Sequence, residues 1–72
     1  MKKVKKIKIK INGEKKSVNY QSSLHDLIYS QKIPIKKVAI ELNKEIINKK
    51  EIRKIKLANN DVIEIVHFIG GG

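Results

Sequence analysis

The chain has 72 residues, enough for one domain, and a net charge of +10 from 17 Lys and Arg against 7 Asp and Glu. A domain of this size buries about 60% of the surface of its unfolded chain, so a deep catalytic cleft is not expected. The sequence has no cysteine, which excludes a disulfide, a thiolate metal site and a cysteine nucleophile. His25 and His67 lack the spacing of metal ligands. We therefore expect no catalytic residue and no metal site in this chain.

The apolar runs are only a few residues long, so no membrane span is predicted. Lysines open the sequence, but no apolar segment or small-residue cleavage site follows them, so we expect no signal peptide. These features favour a location in the cytoplasm.

The basic residues do not have the pattern of a nucleic-acid reader. Nearly all are lysines, with Arg53 the single arginine, and arginine is the usual bidentate reader of phosphate and guanine. The aromatic residues, which are Tyr20, Tyr29 and Phe68, are too few for a base-stacking platform. We interpret the lysines as solvated faces that adjust association with acidic partner surfaces, and a nucleic-acid partner is not expected.

The first elements have the pattern of a β-hairpin. Residues 6–11 alternate between lysine and isoleucine, which predicts a strand with one wet face. Asn12-Gly13 follows, and this dipeptide tolerates the positive φ angles of a two-residue turn. We expect an antiparallel strand to return through Val18 and Tyr20.

A helix is predicted after the hairpin. Ser23 is followed three residues later by Asp26, so the serine can cap the new helix and the acid lies near its positive end. Apolar residues at positions i, i+3 and i+4 form one stripe: Leu24, Leu27 and Ile28. Pro34 cannot continue the helix.

Three further segments are predicted before the last strand. Residues 38–42 have the pattern of a strand with Glu41 outward, and Asn43-Lys44 turns the chain toward Ile46. Asn48 is placed to cap a short helical turn. Residues 59–61, Asn-Asn-Asp, form a tight-turn cluster because asparagine tolerates the left-handed region.

Residues 62–68 are predicted to form the last strand, so the expected order is strand, strand, helix, strand, short elements, strand. This order predicts an α+β fold, the ubiquitin-like β-grasp, in which a small mixed sheet curls around one helix and the first and last strands lie parallel. We expect one domain over residues 1–69 and a flexible glycine tail over residues 70–72. Nine residues should form the core: Ile9, Ile11, Leu24, Leu27, Ile28, Ile40, Leu42, Ile63 and Ile65.

The tail is the most informative feature of the sequence. After Phe68-Ile69 the sequence reads Gly70-Gly71-Gly72. Terminal glycines can also be a frayed end, but these follow a strand that should lie centrally in the sheet. Because glycine has no Cβ, such a tail fits a narrow channel of another protein and brings the Gly72 carboxylate to a bound nucleotide. We expect Gly72 to be the working group of a carrier.

Two stretches carry a resemblance to a known family. Residues 38–47 and the ending at residues 61–72 resemble the thiamine-pathway sulfur carriers of the ThiS family, which has the ubiquitin-like β-grasp fold. The similarity covers nearly the whole chain. Residues 59–61 depart from it, because the family often has a glycine before the aspartate, and the high lysine content is also unusual.

The resemblance implies an activation in two steps by partner enzymes. A ubiquitin-activating-like adenylyltransferase would use ATP and magnesium to convert the Gly72 carboxylate to an acyl-adenylate. Sulfur from a cysteine desulfurase relay would then displace AMP and leave a thiocarboxylate, whose sulfur passes to thiazole synthase. The chain would bind no cofactor itself. Without cysteine it cannot hold sulfur as a side-chain persulfide.

The phase of the last strand predicts the face that meets these partners. Glu64 should point outward, which places Ile63 and Ile65 toward the helix. Val66, Phe68 and Ile69 should then form the partner-docking face beside the tail, although Phe68 is also explained as cover for the sheet edge. His67 should lie half exposed at the strand end.

Three other functions share parts of this pattern. A molybdopterin-synthase-type sulfur carrier subunit has the same fold, tail and activation chemistry, but its family is usually longer and ends differently before its glycines. A ubiquitin-like modifier would use the same tail to form isopeptide bonds. A basic nucleic-acid-binding β-grasp module would not need the tail.

Overall fold

A computed structural model describes residues 5–68, in which one α-helix packs on a mixed five-stranded sheet. The strands are β1 (Lys6–Ile11), β2 (Glu14–Asn19), β3 (Val38–Leu42), β4 (Glu45–Ile46) and β5 (Val62–His67). The α-helix, α1, is Leu24–Ser30, and two short 3-10 helices are Ile35–Lys37 and Lys49–Glu51.

The strand order across the sheet is β2-β1-β5-β3-β4, so the last strand in sequence lies in the middle. Strands β1 and β5 are parallel, and the other neighbours are antiparallel. This is the β-grasp arrangement of ubiquitin-like proteins, which confirms the predicted fold. Residues 70–72 of the predicted tail lie outside the described residues.

Both hairpins turn on residues with positive φ, as a two-residue loop between twisted strands requires. Asn12 has φ 50° and Gly13 has φ 82° between β1 and β2, while Asn43 and Lys44 have φ 51° and 72° between β3 and β4. The two turns predicted at Asn12-Gly13 and Asn43-Lys44 are confirmed.

The predicted cap of α1 is present as a reciprocal pair of hydrogen bonds. The Ser23 Oγ accepts from the Asp26 backbone N–H at 3.0 Å, and the Asp26 Oδ2 accepts from the Ser23 N–H at 3.0 Å. The Ser23 N–H stabilises the ionised carboxylate and lowers the pKa of Asp26. The helix then buries Leu24, Leu27 and Ile28 against the sheet.

The core is formed by the faces of β1, β3, β5 and α1 that the sequence pattern predicts. Eight of the nine predicted core residues are buried, and Leu42 is only partly buried, because it lies at the end of β3 beside the turn. Val38, Ile52 and Leu57 complete the core. Leu57 lies outside any helix or strand, held by a 2.8 Å hydrogen bond from its N–H to the Ser22 carbonyl.

The capping box makes the stability of the fold depend on pH. Because the pKa of Asp26 is lower than its ordinary value of 3.8, its ionised form adds stability above that pH, and this contribution is lost as the pH falls through the folded pKa. We expect Asp26→Asn to lower the free energy of unfolding at pH 7, and the deficit to shrink below pH 3.8, because the amide does not titrate. Urea unfolding at several pH values measures the deficit at pH 7 and its decrease at low pH.

Glu45→Gln is the matched control, because Glu45 is an exposed carboxylate on β4. A deficit in Asp26→Asn that stays constant down to the lowest pH at which the protein folds would contradict the electrostatic account of the cap.

Candidate functional site

The outward side of β5 exposes apolar side chains toward its carboxyl end. Ile63 and Ile65 face the core at 0% and 7% exposure, and Glu64 between them is exposed, so the predicted phase of the strand is correct. Val66 and Phe68 lie on the outer side with 52% of their surfaces exposed. The third residue of the predicted docking face, Ile69, and the tail at residues 70–72 lie outside the described residues.

Neighbouring strands extend this surface. Ala39 of β3 pairs with Val66, and on β4 the side chain of Ile46 is 77% exposed. Between these apolar residues, Glu41 of β3 lies directly opposite Glu64 of β5. We call this outer surface the apolar face, after its four apolar residues; it is formed by Ala39, Glu41, Ile46, Glu64, Val66 and Phe68. Like charges in opposite positions destabilise a sheet, so a cationic group from outside the chain would relieve this pair.

The other half of the same outer surface is basic. The exposed residues of β1 are Lys6, Lys8 and Lys10, and Lys15 of β2 lies directly opposite Lys10. The prediction that these lysines point to solvent is confirmed. Their collection on one half of the sheet, beside the apolar face, was not foreseen from the sequence.

The end of β5 is fixed by contacts to the segment before β3. The Phe68 N–H donates to the Lys37 carbonyl at 2.9 Å. The Lys49 Nζ lies 5.4 Å from the centroid of the Phe68 ring and donates to the carbonyls of Ile35 and Val38 at 2.9 and 2.8 Å. Sequence reasoning missed Lys49, because it stands in a run of charged residues that looks like a solvated turn.

Neither histidine side chain takes part in these contacts. His67 is exposed rather than half exposed, because it is the last residue of β5. His25 stacks on Tyr29 of α1, with ring centroids 6.1 Å apart. Over residues 5–68, no three His, Asp or Glu side chains come together as metal ligands. None of the helices in that range has the length and hydropathy that a membrane span requires.

The topology and the exposed face beside the last strand define a ubiquitin-like β-grasp protein. Its fold superposes on the crystal structure of thiamine biosynthesis protein ThiS from Geobacter metallireducens with a TM-score of 0.80 and 23% identity, covering 92% of this chain and 100% of that chain. A model of the ThiS family matches residues 5–72.

Two curated relatives extend the comparison. The sulfur carrier protein ThiS of Bacillus subtilis (strain 168) is 42% identical over 67 residues, covering 89% of this chain and 98% of that protein. A thiazole synthase of Magnetococcus marinus is 36% identical over 66 residues, which cover 92% of this chain and 20% of that protein. The chain belongs to the ThiS family.

The like-charged pair on the basic half gives a stability prediction. Lys15→Glu places a carboxylate directly opposite Lys10, and we expect it to raise the free energy of unfolding by about 0.2–1 kcal/mol at low salt. The gain should decrease at high salt, because the pair is exposed and screened. Urea unfolding in two salt concentrations measures it.

Lys36→Glu makes the same change of net charge at an exposed site of the first 3-10 helix. An equal gain in both variants would show that net charge, and not the pair with Lys10, determines the effect.

Proposed function

We propose that this member of the ThiS family carries sulfur in thiamine biosynthesis as a thiocarboxylate on Gly72, and that partner enzymes perform the catalysis. The observation that carries the proposal is the match to the sulfur carrier protein ThiS of Bacillus subtilis over 98% of that protein's length. The family model also extends through the glycines to Gly72.

The position of β5 supports this use of the tail. The strand lies between β1 and β3, and its end is held at Phe68 by the bond to Lys37. A segment that follows such a strand starts from a fixed point. Glycines at positions 70–72 add no side chains, so the chain can pass through a narrow channel to a partner's active site.

The chemistry requires an activated carboxylate, because a free carboxylate has no good leaving group. An oxygen of the Gly72 carboxylate attacks the α-phosphate of ATP in the adenylyltransferase, pyrophosphate leaves, and magnesium balances the phosphate charge. The terminal sulfur of an enzyme persulfide, supplied by a cysteine desulfurase relay, then attacks the acyl carbon and AMP leaves. A thiol cleaves the resulting acyl disulfide, which gives the thiocarboxylate and an enzyme disulfide.

Thiazole synthase is the proposed acceptor of this sulfur. The relative from Magnetococcus marinus bears that name and is similar to this chain over 20% of its own length. A region of this kind within one polypeptide favours a physical association between a carrier and a thiazole synthase. The names of the relatives also favour the thiamine pathway over a molybdopterin-type carrier. We propose that this sulfur transfer takes place in the cytoplasm.

The outer surface of the sheet supplies two kinds of recognition. Val66 and Phe68 are half exposed, and with Ile69, the next residue in the sequence, they form the proposed docking face. The lysines of β1 attract acidic partner surfaces over the range of a Debye length, which is about 8 Å at physiological salt. We propose that charge steers the encounter and that apolar contact holds the partner.

The tail is the first test of the proposal. We expect removal of Gly72 to abolish ATP–pyrophosphate exchange with the cognate adenylyltransferase, because the new carboxylate on Gly71 falls about 3.3–3.6 Å short. Even about 1 Å of misplacement costs about 100-fold in rate. Gly71→Trp should also abolish exchange, because it widens the chain without moving its end.

Thermal unfolding of both variants should match that of the wild type, since the fold is completed by β5. If the shortened protein supports ATP–pyrophosphate exchange as fast as the full chain, Gly72 is not the working group.

Intact-mass analysis of protein from its native host gives an independent check, since a sulfur carrier should show a fraction with one sulfur in place of one oxygen. Nucleic-acid binding that survives loss of residues 71–72, without any exchange activity, would favour the nucleic-acid module.

The docking face gives a second kinetic prediction. Val66→Ser removes apolar area that a partner would cover, and we expect the KM for the carrier to rise about tenfold, the equivalent of about 1.4 kcal/mol, with little change in kcat. Steady-state adenylation at varied carrier concentration measures it.

Tyr29→Ser is the control, because Tyr29 is an apolar side chain on α1 that is 78% exposed and lies away from the outer surface of the sheet. A larger effect from Tyr29→Ser than from Val66→Ser would place the docking surface on the helix side.

A further inference from the structure

We propose that Lys49 is a positioning residue that fixes the direction in which the chain leaves β5 at Phe68. This inference rests on the proposed function, because the direction of the tail matters only when its end is delivered to a partner enzyme. Lys49 lies at the start of the second 3-10 helix, far in sequence from Phe68.

The ammonium group of Lys49 joins three segments of the chain. An ammonium has three N–H donors, and two of them bind the carbonyls of Ile35 and Val38 at 2.9 and 2.8 Å. The Nζ also lies 5.4 Å from the centroid of the Phe68 ring, within the range of a cation–π contact. One side chain thus connects the first 3-10 helix, the start of β3 and the end of β5.

Phe68 is therefore held at both its backbone and its ring. Its N–H donates to the Lys37 carbonyl at 2.9 Å, and Lys37 immediately precedes Val38, whose carbonyl accepts from Lys49. Phe68 is 52% exposed, so packing against the core constrains the orientation of its ring only in part. The contact with Lys49 fixes the ring orientation that packing leaves undetermined.

The neighbouring lysines do not share these contacts. Among the side-chain hydrogen bonds of residues 5–68, the lysine ammonium that donates to backbone carbonyls is that of Lys49. Lys50 is exposed, and Lys54 forms a 4.0 Å ion pair with Glu51 on the surface. Lys49 is thus distinguished from the lysines beside it by its contacts and not by its charge.

A positioning role predicts a specific kinetic effect. When Lys49 is changed, the carrier should still dock through the other apolar residues of the apolar face, Ala39, Ile46 and Val66, so its KM should change much less than kcat. The Gly72 carboxylate should reach the nucleotide in a productive position less often, so kcat should fall. Because about 1 Å of misplacement costs about 100-fold in rate, a partial loss of orientation at Phe68 should cost about tenfold.

The experiment compares Lys49→Met, Lys49→Arg and Lys50→Met in steady-state adenylation by the cognate adenylyltransferase. We expect Lys49→Met to lower kcat about tenfold with KM within about threefold of wild type. Lys49→Arg should recover most of kcat, because a guanidinium can also bind carbonyls and stack on an aromatic ring. Lys50→Met should have wild-type kinetics. An unchanged kcat in Lys49→Met, or an effect confined to KM, would overturn the proposal.

A second measurement does not depend on activity. In the wild-type protein, the ring current of Phe68 should shift the ε-methylene protons of Lys49 upfield in the NMR spectrum, and Phe68→Leu should remove the shift. If Lys49→Met does not fold, Lys49→Gln takes its place in the kinetics. Absence of the upfield shift overturns the Lys49 proposal, whereas a wild-type chain that shows the shift but is never adenylated overturns the proposed function alone.

Discussion

The structure depends on the placement of its last strand in the middle of the sheet. Strand β5 completes the core with Ile63 and Ile65 and is bonded on both sides, to β1 and to β3. The parallel register of β5 with β1 covers two residue pairs, and Asn12 extends this contact. Its side-chain Oδ1 accepts from the Ile65 N–H at 2.7 Å, and its backbone N–H donates to the Ile63 carbonyl at 2.9 Å. The sheet is therefore complete only when β5 has docked, and the chain leaves it from a point that the whole fold supports.

Asparagines at the turns connect local structure to this long-range closure. Asn43 takes a positive φ in the β3–β4 turn, and its Oδ1 also accepts from the Val62 N–H at 2.9 Å. Asn59 lies in the turn before β5, and its Oδ1 accepts from the Lys8 N–H at 2.8 Å. In each turn, an asparagine side chain thus accepts a hydrogen bond that connects β5, or the turn before it, to a neighbouring strand or turn. Glycine in place of Asn43 would keep the backbone conformation and lose the hydrogen bond to Val62, so Asn43 does more than permit a left-handed turn.

Local patterns in the sequence were sufficient to predict β1, β2, β3, the capped helix and β5 with its phase, because alternation, helical spacing and capping act between residues close in the chain. The two-residue strand β4 was not predicted, because it is too short to show a period. Ile52 and Leu57 were missed as core residues because they lie in segments without a regular period. Lys49 and the opposed pair of Glu41 and Glu64 were missed for another reason. Their partners are set by strand register and by contacts between distant segments, which one sequence does not determine.

The division of the outer surface reconciles a net charge of +10 with the proposed role of a carrier that meets several enzymes in turn. Attraction between charges acts over a distance and raises the rate of encounter with any acidic surface. Apolar contact at Val66 and Phe68 acts only at close approach and depends on shape. On the proposed function, the lysines of β1 would bring different acidic partners to the same side of the sheet, and the apolar face would select among them. Since each partner must also release the carrier, an apolar area limited to a few half-exposed side chains suits exchange better than a large one would.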